Sequence, residues 1–271
     1  LLQLASVDLG FSPQQVFTAR IEIPRSAFPA RASRQAFFTS VLQEIRALPG
    51  VRSAAATTNL PILEPGNTWR TWTPDRPATS PETMEHTHLR RVLPGYFATM
   101  SMPLVQGRDI LETDRDDAPA VAVLSESLAR KLYPGQDPVG RTVLLLMYDT
   151  QTRLPRNVPC QVVGVVRSAR LANPREEADP AMYLPMLQTS PLAARIVVRT
   201  AGDPQGLAGP IRDIVRRHDR NVLVSGVQTM DTVVDGAFTD FRMMVRYLGL
   251  FAGVALFLAA AFLGRQLERR A

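Results

Sequence analysis

Six groups of residues in this chain carry side chains able to do chemistry, and each has a setting that can be tested against what the chemistry needs. His86 and His88 lie two apart in an extended segment, so both point to one face, as metal ligands would, with Glu82 or Glu85 near enough in sequence to join them. A pair without a further anchored ligand does not make a site, and no metal is expected. Gly135 to Thr142 (GQDPVGRT) has the glycine spacing of a phosphate loop, with Arg141 where lysine belongs. Such a loop needs a strand before it and a helix after it, so that backbone N–H groups and the helix dipole meet the phosphates. Here the predicted order is reversed, which leaves a Pro-Gly turn and no nucleotide site. Ser125, in LSES, lacks the glycine-flanked elbow of a nucleophilic serine. Asp114, Asp116 and Asp117 lack the glycine and distal glutamate of a calcium loop and read as a solvated turn. Cys160, the single cysteine, borders an apolar strand and reads as inert packing, and it excludes an intrachain disulfide. His218 sits at the basic end of a helix, where the dipole favours it. Nothing in these groups points to catalysis or to a cofactor.

The elements that would position these residues follow from periodicity. Residues 15–24 alternate and end at Pro24, a strand; Phe37, Phe38, Val41, Leu42, Ile45 and Leu48 form one stripe of a helix over Ser33–Leu48; VRSAAATTNLP returns as a strand. A second unit of the same kind comes much later. Arg195–Thr200 is a strand, Asp203-Pro204 starts a helix with stripe Leu207, Ile211, Ile214 and Val215, and Asn221–Gln228 is the returning strand. The fold class read from this is α+β: a split βαβ…βαβ layer, porter- or ferredoxin-like, over 7–65 and 191–230, with a β-rich insert over 66–190. In the insert the expected strands are Thr68–Thr73, Glu85–Leu93, Ala120–Leu124, Thr142–Tyr148 and Cys160–Val166. The expected helices there are Gly95–Met100 and Ser125–Tyr133, and the expected loops are 74–83 and 149–159.

The chain has 271 residues and a formal charge of +6, but only one of its 31 basic residues, Lys131, is a lysine. The arginines are scattered among Asp and Glu and come without a stacking stripe, so nucleic acid is not an expected partner. Tyr247 to Gly264 is uncharged throughout. As a helix at ~1.5 Å per residue it reaches about 27 Å, close to the ~30 Å of a bilayer core. Tyr247, Leu250, Phe251, Val254, Leu256, Phe257, Leu258, Phe262 and Leu263 would meet lipid. Ahead of it Val233, Ala237, Phe241 and Met244 recur at helical spacing, so a stalk helix over 231–246 would run unbroken into the membrane span at 247–264, leaving a tail at 265–271. Arg265, Arg269 and Arg270 against Glu268 make the tail slightly the more basic flank, which favours placing it in the cytoplasm. The opening LLQLASVDLGF is too short and mixed to span or to be a cleaved signal, so the chain reads as a piece that starts just outside a membrane segment.

The most specific stretch is Arg90 to Val143. Its Tyr96-Phe97 pair, Pro103-Leu104, Gly107-Arg108, Asp114, Val121-Ala-Val, Leu128-Ala-Arg130 and Asp137-Pro138-Val139-Gly140 resemble the MacB-like periplasmic core domain of ABC transporter permeases with an FtsX-like membrane part. Val163-Gly164-Val165-Val166, a Tyr183-Leu-Pro185 turn, Val198-Arg199-Thr200 and Phe251-Ala252 extend the likeness, which is closest to the duplicated orphan permease branch. The resemblance implies a domain outside a bacterial inner membrane, coupling a separate cytoplasmic ABC ATPase to export or to periplasmic conformational change. It implies the lipid bilayer as a partner, together with a second permease copy and a periplasmic adaptor or substrate. The other reading is a membrane-anchored binding module with no transport role.

Overall fold

The alternating and helical stripes do become paired elements, and the pairing falls into two lobes. The computed structural model describes residues 8–64, 66, 68–77, 80–148, 155–171 and 178–237. The expected membrane span, Phe241, Met244 and the tail lie outside them, and among the described residues no helix is long and apolar enough to cross a membrane.

The first lobe is an open sheet. β1 (Val16–Glu22), β2 (Val51–Thr57), β10 (Ala193–Thr200) and β11 (Leu223–Thr229) lie in the order β11-β1-β10-β2, all antiparallel. Helices α1 (Arg31–Arg46) and α5 (Ala208–His218) cover one face. They do so because Phe37, Phe38, Val41, Leu42 and Ile45 of α1, and Ile211, Ile214 and Val215 of α5, meet the alternate residues Phe17, Ala19, Ile21, Ala54, Ala56, Ile196 and Val198. Each large side chain buried there is worth about 1.5–3 kcal/mol over leaving it in water. Asp203 caps as its type predicts, accepting from the Gln205 amide, but the turn it opens is a short 3-10 segment, Pro204–Leu207, that leads into α5. His218 has more than the dipole to meet: it and Arg217 both reach Glu44 on α1 at 2.7 Å.

The second lobe is a closed ring. β3 (Thr68–Trp72), β4 (Glu85–Val92), β6 (Val121–Ser125), β7 (Thr142–Tyr148), β8 (Pro155–Val166) and β9 (Ala181–Pro185) pair in the order β4-β3-β7-β8-β6-β9, and β9 then pairs parallel with β4. Leu89, Leu124, Val143, Leu145, Cys160, Val162, Met182 and Leu184 converge from those strands in one apolar cluster, the filling of a small barrel. Helix α3 (Glu126–Leu132) adds Leu128, Ala129 and Leu132 to it. A single register pair, Thr57 with Val92, joins the barrel to the open sheet.

Two expectations are corrected here. The loop expected over 149–159 is already strand from Pro155, in antiparallel register with β7. Prolines 155 and 159 fit because, among the described residues, that half of β8 is paired on one side only. Tyr183-Leu-Pro185 is no turn but the buried strand β9, hidden in sequence because a strand buried on both faces does not alternate. The short edge strand β5 (Leu104–Gly107) and helices α2 (Tyr96–Met100) and α4 (Met186–Thr189) complete the order, β5 and α4 being elements that periodicity does not signal.

Candidate functional site: the core between the lobes

The uncovered face of the open sheet is where the motif residues and the stalk meet. One apolar cluster joins Val16, Ala55 and Val197 of that face to Tyr96, Phe97 and Met100 of α2, and to Val121, Val123, Val163, Val166, Ala181 and Tyr183 of the barrel wall. The same cluster takes in Met230, Val233 and Val234, with Ala237 packed against it. These last residues belong to a helix, α6, over 230–237, the described part of the expected stalk. Thr229 caps it, its hydroxyl accepting from the Thr232 amide at 3.2 Å. Two of the four expected stalk residues, Val233 and Ala237, are thus seated, and the other two lie outside the described residues. Tyr96, Phe97 and Tyr183 pack ring against ring, with Phe97 and Tyr183 edge to face at 5.0 Å.

The remaining motif residues gather along β8. Gly107 and Gly164 stand opposite each other in the β5–β8 pair. A Cβ on Gly164 would fall 2.2 Å from the Arg108 carbonyl oxygen, and one on Gly107 would fall 2.3 Å from the Val163 carbonyl oxygen. Two backbones approach there more closely than any side chain allows. Arg108 donates its amide to Val163, and the Pro103 carbonyl accepts from Arg167. Asp137 accepts from the Val139 amide and from Gln106, while the Gly140 amide donates to Val162, so the turn holding Asp137, Pro138 and Gly140 is fastened to the same strand. The turn expected from the phosphate-loop spacing is thus a structural fastening.

Asp114 is the clearest departure from expectation. It is not in a solvated turn; it is 4% exposed and receives both Nη atoms of Arg108, at 2.8 and 3.0 Å, and the Leu111 amide. Burial acts to raise its pKa, but the Arg108 hydrogen bonds and charge together with that amide outweigh it and hold the carboxyl below its ordinary value. Ser125 is a helix cap, its hydroxyl accepting from the Leu128 and Ala181 amides. His86 and His88 share a face of β4, with His88 Nε2 3.5 Å from Asp179. Burial pushes the Cys160 thiol up to about 11.

At the other end of the open sheet's uncovered face, arginines converge. Arg195 and Arg20, register partners on β10 and β1, both reach Glu64 Oε1, at 2.9 and 3.2 Å. Arg199 donates to the carbonyls of Thr99, Gln14 and Ser12, tying the end of α2 to the segment entering β1. Sequence reasoning passed over Arg195 and Glu64. The signal was present for Arg195, because Arg195, Val197 and Arg199 alternate and so share the face that α1 and α5 do not cover.

The arrangement consists of apolar packing, backbone fastenings and buried arginine ties. The family model of the MacB-like periplasmic core domain matches residues 4–208. Over 162 residues the chain is 26% identical to a macrolide export ATP-binding/permease protein, MacB, of Azoarcus sp., covering 59% of this chain and 21% of that protein. Over 86 residues it is 29% identical to a pyoverdine export ATP-binding/permease protein, PvdT, of Pseudomonas aeruginosa, covering 32% of this chain and 12% of that protein. The chain therefore spans a minor part of these relatives' length. The crystal structure of the periplasmic region of MacB from Actinobacillus actinomycetemcomitans superposes with a TM-score of 0.51 at 18% identity, over 84% of this chain and 94% of that one, and so shares the fold. The match through residue 208 takes in both the open sheet's first three strands and the whole barrel, and the chain belongs to the family of MacB-like periplasmic core domains.

Proposed function

We propose that this chain is the extracytoplasmic part of an ABC transporter permease subunit in a bacterial inner membrane, and that it couples ATP hydrolysis on a separate cytoplasmic subunit to export. On this reading the open sheet and its helices (7–65 and 191–230) form a porter-like subdomain and the barrel an inserted one (66–190). The helix beginning at 230 continues as a stalk over 231–246 into a membrane span at 247–264. The observation that carries the proposal is the seat of α6: Met230, Val233 and Val234 are buried in a core that touches both lobes. A shift of that helix would be felt by the open sheet, α2 and the barrel together, because packed elements switch between discrete arrangements instead of deforming smoothly. The relatives' names as export proteins support the direction of transport.

The test is a coupling measurement on the full-length protein in its membrane with its ATPase. Proline, or a pair of glycines, placed within 238–244 breaks a continuous helix without touching the folded lobes. Export should fall while ATP hydrolysis continues. Export persisting at normal coupling would remove the helix-transmission account, and a membrane-anchored binding module with no transport role would then be the better reading.

A further inference from the structure

Four polar atoms of three buried side chains end in the core between the lobes short of partners. Arg90 is fully buried, and so are Tyr96 and Tyr183. Arg90 on β4 and Tyr183 on β9 are register partners in the parallel pair, so their side chains leave the wall side by side, and the Tyr96 ring lies 6.4 Å from that of Tyr183. The Arg90 guanidinium donates from Nη2 to the Glu64 carbonyl oxygen at 3.4 Å. Its Nε and Nη1 and the hydroxyl of Tyr183 have no hydrogen-bond partner, and the Tyr96 hydroxyl has only the Thr57 side chain beside it. Among the described residues no carboxylate forms an ion pair with Arg90. Glu64, the nearest in its network, gives its carboxylate to Arg195 and Arg20.

A buried, uncompensated guanidinium costs several kcal/mol, so a partner that carries negative charge is required. Its chemistry follows from the orphans. Arg90 Nε and Nη1 can only donate, while the tyrosine hydroxyls can donate or accept, so the partner must accept from Arg90 and carry charge. Water can bridge such groups but has no charge and leaves the arginine unbalanced. A carboxylic ligand would bring an organic tail into a shell of Phe97, Met100 and Val123, which are packed with the same rings. A compact monovalent anion satisfies the charge and the donors without a directional requirement.

We propose that Arg90, Tyr96 and Tyr183 hold an internal halide-type anion, chloride under ordinary conditions, as a structural ion at the joint between the lobes. The ion neutralises Arg90 and draws both tyrosine hydroxyls to one point, so β4, β9 and α2 are pinned together beneath α6. Binding only to the folded chain, it raises stability as its concentration rises.

The experiment uses the chain as it stands. Crystals grown in bromide should show an anomalous peak within hydrogen-bond reach of Arg90 Nε or Nη1 and of the two hydroxyls. In melting experiments at constant ionic strength, about a hundredfold increase in chloride over gluconate should raise Tm by roughly 5 °C. Arg90→Met, which fills the space without the charge, should lose that dependence. Should Arg90→Met fail to fold, the double variant Tyr96→Phe, Tyr183→Phe keeps the charge and should bind the halide about tenfold more weakly. Equal Tm values in chloride and gluconate for the unaltered chain, or a water or a protein carboxylate in the bromide map at that point, would overturn the proposal.

Discussion

The open sheet and the barrel are built from similar amounts of strand, yet they are held in different ways. The covered side of the open sheet rests mainly on side-chain volume: two amphipathic helices laid on one face over an apolar cluster, with polar ties such as those of Glu44 at its margin. The barrel rests as much on backbone. Its longest strand, β8, receives β5, β6, β7 and the turn at Gly140, and at Gly107–Gly164 two main chains meet with no room for a Cβ. A core of side chains tolerates change in proportion to the volume altered, whereas a backbone contact tolerates none. Several of the family's motif residues, among them Gly107, Arg108, Gly140 and Gly164, lie on the second kind of contact.

That contrast can be broken by substitution, taking the largest effect first. Phe38→Ala empties a site 2% exposed between α1 and the open sheet and should cost about 3–5 kcal/mol in denaturant unfolding. Gly164→Val should cost roughly 3 kcal/mol or more although it adds atoms, because the Arg108 carbonyl cannot move without parting β5 from β8. Hydrogen exchange should then show the barrel strands losing protection before α1 does; uniform loss across both lobes would mean that the backbone contact is no special point of the barrel. Arg108→Met should cost about 2–4 kcal/mol, since it leaves Asp114 buried and unpaired.

The third variant has a pH signature. The folded Asp114 pKa lies below the unfolded value of ~3.9, so the pair stabilises at neutral pH, and that contribution is lost as pH falls from the unfolded value through the lower folded one. The difference between Arg108→Met and the unaltered chain should therefore shrink on acidification below about pH 4 and stay constant above about pH 5. A gap that widens in acid would show that Asp114 is not held ionised by Arg108. Smallest is Gly140→Ala. Its φ of +84° makes an alanine strained, but nothing lies within 4 Å, so the cost should be only about 1–2 kcal/mol. If it matched Gly164→Val, the distinction between turn glycines and contact glycines would fail.

Much of this molecule was legible before any coordinate. The stripe Phe37, Phe38, Val41, Leu42, Ile45 specifies both a helix and its buried face, because adjacent turns of one helix need no information from elsewhere. Val233 and Ala237 were legible as one face of a helix for the same reason. Asp114 was misread because a carboxylate's burial depends on what folds over it, here Arg108 six residues earlier and the Leu111 amide. Strand β9 was missed because both its faces are covered and its pattern has no period.

By itself the amino-acid order determined every element whose contacts are repeated along one short piece of chain: α1, α5, α6 and the alternating strands of the open sheet. Tertiary structure alone decided that six strands close into a ring, that Arg90 loses all water beside Tyr183, and that Gly107 stands against Gly164. Those outcomes are set by register between segments far apart in the chain. Register is an energy comparison among many possible pairings, and no local stretch of sequence contains it.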